Sequence, residues 1–194
     1  MLIFWEPRLV FLAMPKAGST AIEAALEPLA SAAILRPEPL KHTNISKFHQ
    51  YLGPWLEAQA SAPFSTVALM REPVDWLRSW YRFRQRDDHD DALHQVEDTT
   101  FARFAADYSR PDGPERLNIG RQSDFLIDGA RRVDHIFRYE DFAAFVEHLE
   151  DRLNCALEMP RLNVPPSADV ELDAADEDRL REAMWQDMEL YQSL

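Results

Sequence analysis

Short apolar runs alternate with amphipathic stretches along this chain. Residues 8–14 (RLVFLAM) read as a strand buried on both faces, because no polar alternation interrupts the run. After a break from Pro15 to Ser19, Thr20 to about Leu29 has helical composition, with Ile22, Ala25, Leu26 and Leu29 on one stripe. Ser31 to Leu35 is a second short strand followed by a Pro37–Pro39 loop. Asn44 to about Ala60 is helical, with Ile45, Phe48, Leu52 and Leu56 at spacings of three and four and a kink expected at Pro54. Ser65 to Met70 (STVALM) is a third strand. Pro73 suits the first turn of a helix that runs to about Arg86, with Trp76, Leu77, Trp80, Tyr81 and Phe83 as a core-facing side. Thr100 to Tyr108 is helical, and 109–120 is a loop holding Pro111, Gly113 and Pro114. Val133 to Phe137 is a fourth strand and Asp141 to Leu153 an amphipathic helix. Pro160 to Ser167 is extended, and Asp176 to about Tyr191 is a terminal helix.

Strand alternating with helix predicts an α/β fold in one domain over 1–194, with a central, mostly parallel sheet covered by helices on both faces. Right-handed crossovers place the loops that follow the strands along one edge, where ligands bind in such folds. The segments after Met14, Leu35, Met70 and Phe137 are therefore the ones to inspect.

Composition narrows the function classes. The 194 residues are 46% hydrophobic and 11% aromatic, enough for a packed core. A net charge of −13 argues against nucleic-acid binding, which needs a basic face. The single cysteine, Cys155, cannot staple the chain; it points to a reducing, cytoplasmic setting and to an inert, buried thiol. The apolar run Leu9–Met14 is too short to span a bilayer, so stable membrane insertion is not expected.

The first loop, Pro15-Lys16-Ala17-Gly18-Ser19-Thr20, stands at a strand-to-helix junction. Gly18 lets backbone approach a ligand, Ser19 and Thr20 offer hydroxyls, Lys16 offers charge, and the helix's first N–H groups favour an anion. The nucleotide P-loop pattern G-x-x-x-x-G-K-[S/T] is not met, since the lysine precedes the glycine and the first glycine is missing. After the third strand, Arg71 at the strand end and Ser79 in the second turn of the next helix can hold one phosphate between them. His42, after the second strand, is the candidate general base, being the side chain that titrates nearest neutrality. Lys41 beside it either touches the transferred group or lowers the pKa of its neighbour. Glu23 is a conceivable alternative base, expected to be solvated, and His49 is read as structural or exposed. Arg121 and Gln122 open the segment after the Gly/Pro-rich loop and are candidates to close over nucleotide or acceptor. Asp87 to Asp98 reads as a solvated acidic loop, and Arg78, Arg82 and Arg86 form a basic stripe expected to pair with it. No metal-ligand motif stands out.

FLAMPKAGSTAIE resembles the 5′-phosphosulfate loop of sulfotransferases that use 3′-phosphoadenosine 5′-phosphosulfate (PAPS). VALMREPVDWLRSWYRFR resembles their 3′-phosphate element, R-x-P-x-x-x-x-x-S. Gln122-Ser123-Asp124-Phe125-Leu126, Phe137-Arg138-Tyr139-Glu140-Asp141-Phe142 and Asn163 are similar to pieces of a small bacterial branch related to carbohydrate sulfotransferases. The resemblance implies a P-loop nucleotide-kinase-like three-layer sandwich and transfer of sulfuryl from PAPS to a hydroxyl or amine acceptor, leaving adenosine 3′,5′-bisphosphate, with no metal required. It implies that Lys16, Ala17, Gly18, Ser19 and Thr20 grip the 5′-phosphate and sulfuryl group, and that Arg71 and Ser79 bind the 3′-phosphate. Lys16 would act in catalysis, and related enzymes often carry a Lys-His pair where Lys41 and His42 stand. Ala17 and Ser19 replace the loop's commoner threonines, and the short chain leaves little room for an acceptor-binding insertion. The acceptor could be a small molecule, a carbohydrate or a lipid. The alternatives are a small-molecule or nucleotide kinase, and a non-catalytic nucleotide-binding module of the same fold.

Overall fold

The α/β class is borne out by a five-stranded sheet interleaved with helices. The computed structural model describes residues 1–85, 99–110, 112–114, 117, 119–159 and 170–194. The acidic stretch from Asp87 to Asp98, Arg86, the extended segment from Pro160 to Ser167 and Asn163 within it lie outside the described residues.

The strands are β1 (Leu2–Phe4), β2 (Leu9–Phe11), β3 (Ala32–Ala33), β4 (Ser65–Met70), β5 (Ile127–Asp128), β6 (Arg131–Arg132) and β7 (His135–Arg138). The helices are α1 (Ser19–Leu26), α2 (Glu38–Lys41), α3 (Ile45–Lys47), α4 (Gly53–Ala60), α5 (Pro73–Arg84), α6 (Phe101–Tyr108), α7 (Gln122–Leu126), α8 (Phe142–Leu153), α9 (Ala174–Ala183) and α10 (Trp185–Gln192). Two compact units form: Met1–Arg71 with Gln122–Asn163 and Leu194, and Glu72–Arg121 with Val164–Ser193.

The first unit holds the sheet, in the order β3-β1-β2-β4-β7. β2, β4 and β7 are parallel, whereas β1 is antiparallel to both β2 and β3, so the sheet is mixed. The apolar run over residues 1–5 ends at Glu6-Pro7-Arg8, and Leu2–Phe4 within it pairs with β2 and β3. Every residue of β1 and β2 is buried, as expected for strands with no solvent face. Asp134 pins the start of β7 to β4: its Oδ2 accepts from the Thr66 amide at 2.7 Å and the Thr66 hydroxyl at 2.8 Å. Phe145 of α8 packs on Phe11 and Phe137, with ring centroids 5.8 and 6.0 Å away.

Two local expectations change. The Pro37–Pro39 segment is not a loop but the start of α2, with Pro39 in its first turn, where a missing N–H costs nothing. Pro54 does not simply kink a helix: α3 and α4 are joined through a π-helical turn over Phe48–Leu52, and the Gly53 amide reaches back to the Phe48 carbonyl. Phe48 and Leu56 are still buried, whereas Leu52 is only half-buried.

The second unit is helical. Val74, Trp76, Leu77, Tyr81, Phe101, Phe104, Leu180 and Met184 form its core, and Trp80 packs edge-on against Trp76 and Phe83. The terminal helix is two helices, broken at Met184. Arg78 donates to the Val170 carbonyl and to Glu177, a partner the sequence reading does not supply. Cys155 is half-buried rather than buried.

Candidate functional site

The loop between β2 and α1 has unusual backbone. Lys16 has φ 62° and Gly18 has φ 75°, both in the left-handed region. Glycine adopts that region freely, but for lysine it costs about 1 kcal/mol or more, strain of the kind that concentrates at functional sites. Gly18 is the N-cap of α1 and offers no side-chain cap to the first-turn N–H groups. Ala17 and Ser19 are buried, Lys16 is half-buried and Thr20 is exposed.

Arg71 follows β4 directly and is 8% exposed. Its Nη1 donates to the Lys16 carbonyl at 3.2 Å, and its guanidinium stands 4.8 Å from the centre of the Tyr139 ring. The ends of β2, β4 and β7 thus meet around one arginine. Gln122, fully buried, donates through Nε2 to the Arg71 carbonyl at 2.8 Å and accepts the Arg71 amide on Oε1 at 2.9 Å.

His42 ends α2. Its Nδ1 is 2.6 Å from the Ala13 carbonyl. A carbonyl only accepts, so Nδ1 carries the hydrogen and Nε2 is left as the basic nitrogen. Burial pushes the His42 pKa below the usual histidine value; the Ala13 hydrogen bond opposes this, and the nearby Lys41 charge adds to it. The ring is therefore neutral at physiological pH.

Glu23 is not solvated. It is 3% exposed and its two oxygens face two ammonium groups, the Met1 α-amino group at 2.7 Å and Lys41 Nζ at 3.0 Å. Lys41 Nζ also lies 3.5 Å from the Thr20 hydroxyl. Glu23 thus ties the helix behind the loop to the turn that carries His42. Its signal was in the sequence: Ser19, Ile22, Glu23 and Leu26 fall at i, i+3, i+4 and i+7, one buried face of α1. The predicted stripe contained Leu29 instead, which is 48% exposed.

The first unit therefore brings together Lys16, Ala17, Gly18, Ser19, Thr20, Lys41, His42, Arg71 and Gln122. Ser79 is buried on α5 in the second unit. Arg121, also there, donates to the Ala183 carbonyl at 3.0 Å and Gln186 Oε1 at 2.6 Å, and so is tied to the terminal helices. His49 is half-buried, edge-on to Phe48. Tyr139 escaped the reading of single residues; the quoted segment Phe137–Phe142 was its only signal. Among the described residues no group of three or more His, Cys, Asp or Glu is placed to hold a metal ion, and no helix is long and apolar enough to cross a membrane.

Comparison with protein-family models, with curated proteins and with solved structures finds no match to this chain.

Proposed function

We propose that this protein transfers the sulfuryl group of PAPS to a hydroxyl or amine acceptor, on a P-loop-like three-layer fold. The observation that carries this reading is the contact of the Arg71 guanidinium with the Lys16 backbone, which gathers cations from two strand ends onto one strained, glycine-capped loop. The donor set suits a nucleotide with phosphate at both ends of its ribose: two cations, a hydroxyl pair and uncapped helix N–H groups. The carboxylate on the same helix, Glu23, is neutralised by two ammonium groups and does not oppose an anion.

In this reading Ser19, Thr20 and the first-turn amides of α1 hold the 5′-phosphosulfate, and Arg71 holds the 3′-phosphate. Lys16 stabilises the charge left on the oxygen bridging phosphorus and sulfur as the S–O bond breaks. Sulfuryl carries less negative charge than phosphoryl, so lysine and backbone donors can supply the electrostatics. His42 Nε2 takes the acceptor's proton as the new bond to sulfur forms, and the Ala13 carbonyl keeps that nitrogen basic. The acceptor is a small alcohol or amine, a carbohydrate or a lipid, and the single cysteine supports a cytoplasmic setting.

Calorimetric titration tests the reading. Adenosine 3′,5′-bisphosphate is expected to bind more tightly than ATP–magnesium, and Arg71→Ala to weaken that binding by about 2–5 kcal/mol. Preference for ATP–magnesium would instead favour a kinase, and unchanged affinity in Arg71→Ala would remove Arg71 from the site.

A further inference from the structure

We infer that Gln122 is a positioning residue that sets the selectivity of this site for a 3′-phosphorylated nucleotide, an inference that rests on the function proposed above. The β4–β7 ladder ends at the pair Met70 and Arg138, one residue before Arg71. There the side chain of Gln122 takes over the role of a neighbouring strand. It binds both the N–H and the C=O of Arg71, at 2.9 and 2.8 Å, and is fully buried. Phe125 and Leu126, buried on the same short helix, anchor it in the core. The amide therefore fixes the backbone from which the Arg71 side chain departs, while Tyr139 and the Lys16 carbonyl fix where its guanidinium ends. Few side chains can do this. The position needs one donor and one acceptor at the end of a flexible three-carbon reach, both buried, so an apolar replacement would remove both bonds to the Arg71 backbone. Gln122 thus acts through Arg71 rather than by closing over the ligand.

The experiment compares adenosine 3′,5′-bisphosphate with adenosine 5′-phosphate, which lacks the 3′-phosphate, and reads the ratio of their affinities. The unmodified protein should prefer the bisphosphate. Gln122→Met, of similar volume, should lower that preference by roughly tenfold or more while adenosine 5′-phosphate binds as before. Gln122→Glu gives a signature that a packing role lacks. A buried protonated carboxyl donates and accepts like the amide, but an ionised one cannot donate. Measured against the unmodified protein at each pH, its preference should therefore approach normal in acid and fall as pH rises. Equal losses for both ligands in Gln122→Met, or retained preference, would overturn the inference. If Gln122→Met does not fold, a pH-independent preference in Gln122→Glu would overturn it. Absence of preference in the unmodified protein would overturn the proposed function itself, and this inference with it.

Discussion

Two sets of charged groups, one in each unit, differ in how far they are withdrawn from water. In the sheet unit, Glu23 is 3% exposed between the Met1 α-amino group and Lys41, and Arg71 is 8% exposed against a carbonyl and an aromatic ring. In the helical unit Arg84, Asp107 and Asp187 are buried as well, at 5%, 3% and 0% exposure, but an ion-pair chain lies nearer to water. Arg181 bridges Glu72 and Glu177 at 2.9 and 2.7 Å, and Arg78 joins Glu177 at 3.4 Å, with side chains 24–36% exposed. Charges taken out of water are costly unless each is met by a partner, so a buried set of them constrains the backbone that carries it. A partly solvated chain constrains little.

Breaking the site at His42 should have the largest effect. In a sulfate-transfer assay with a responsive acceptor, His42→Ala should lower turnover by about 10²–10⁴-fold with little change in binding of adenosine 3′,5′-bisphosphate. Full activity would move the base elsewhere. The pH dependence carries a definite sign. Because burial lowers the His42 pKa, the acidic limb of the rate profile should lie below the ordinary histidine value of about 6.5. Stability follows the same sign. Above about pH 6.5 both folded and unfolded chains hold the ring neutral; as pH falls, the unfolded chain binds the proton first and is favoured. His148, whose pKa is lowered by burial and then by the neighbouring His135 and Arg152 charges, contributes in the same direction. Denaturant midpoints should fall on mild acidification, and by less in His42→Ala.

Glu23→Ala sharpens the contrast from the stability side. It leaves Lys41 and the Met1 α-amino group, whose pKa burial lowers, without their buried carboxylate, a loss of about 3 kcal/mol, at the lower end for such sites because Lys41, 16% exposed, can turn outward. Urea denaturation should show the loss, and added salt should restore little of it, since burial excludes the screening ions. A loss under about 0.5 kcal/mol would mean that the cluster is as solvated as an ordinary surface pair.

Much of this was legible beforehand, for physical reasons that differ by element. β4 and α5 follow the sequence closely because their signals are local: an uninterrupted apolar run, and Pro73 opening an amphipathic helix that Glu72 caps by accepting the Asp75 amide. The loop over Lys16–Thr20 was legible because its glycine and its hydroxyls act through adjacent backbone. β1 was not, since so short an apolar run becomes a strand through pairing with β2 and β3. The joins around Arg71 were invisible for the same reason. Gln122 and Tyr139 lie 51 and 68 residues further on, and neither residue type announces a partner. The burial of Glu23 could have been read from helical spacing, had the carboxylate not argued for solvent.

The smallest effect belongs to the helical unit's ion pairs, and its smallness is what the comparison requires. Arg181→Ala removes two geometrically good pairs, one of which, the hydrogen bond to Glu177, holds that carboxyl below its usual range. The depressed carboxyl contributes stability only above the ordinary glutamate range, and that contribution is lost as pH falls through its folded value. With side chains about one-third exposed, solvent screening leaves the pairs less than about 1 kcal/mol in urea denaturation near neutral pH. The difference from the unmodified protein should shrink further in high salt, where the Debye length falls to about 3 Å at 1 M. A loss approaching that of Glu23→Ala, insensitive to salt, would mean that this ion-pair chain is as withdrawn from water as the Glu23 cluster and would undo the distinction between the two.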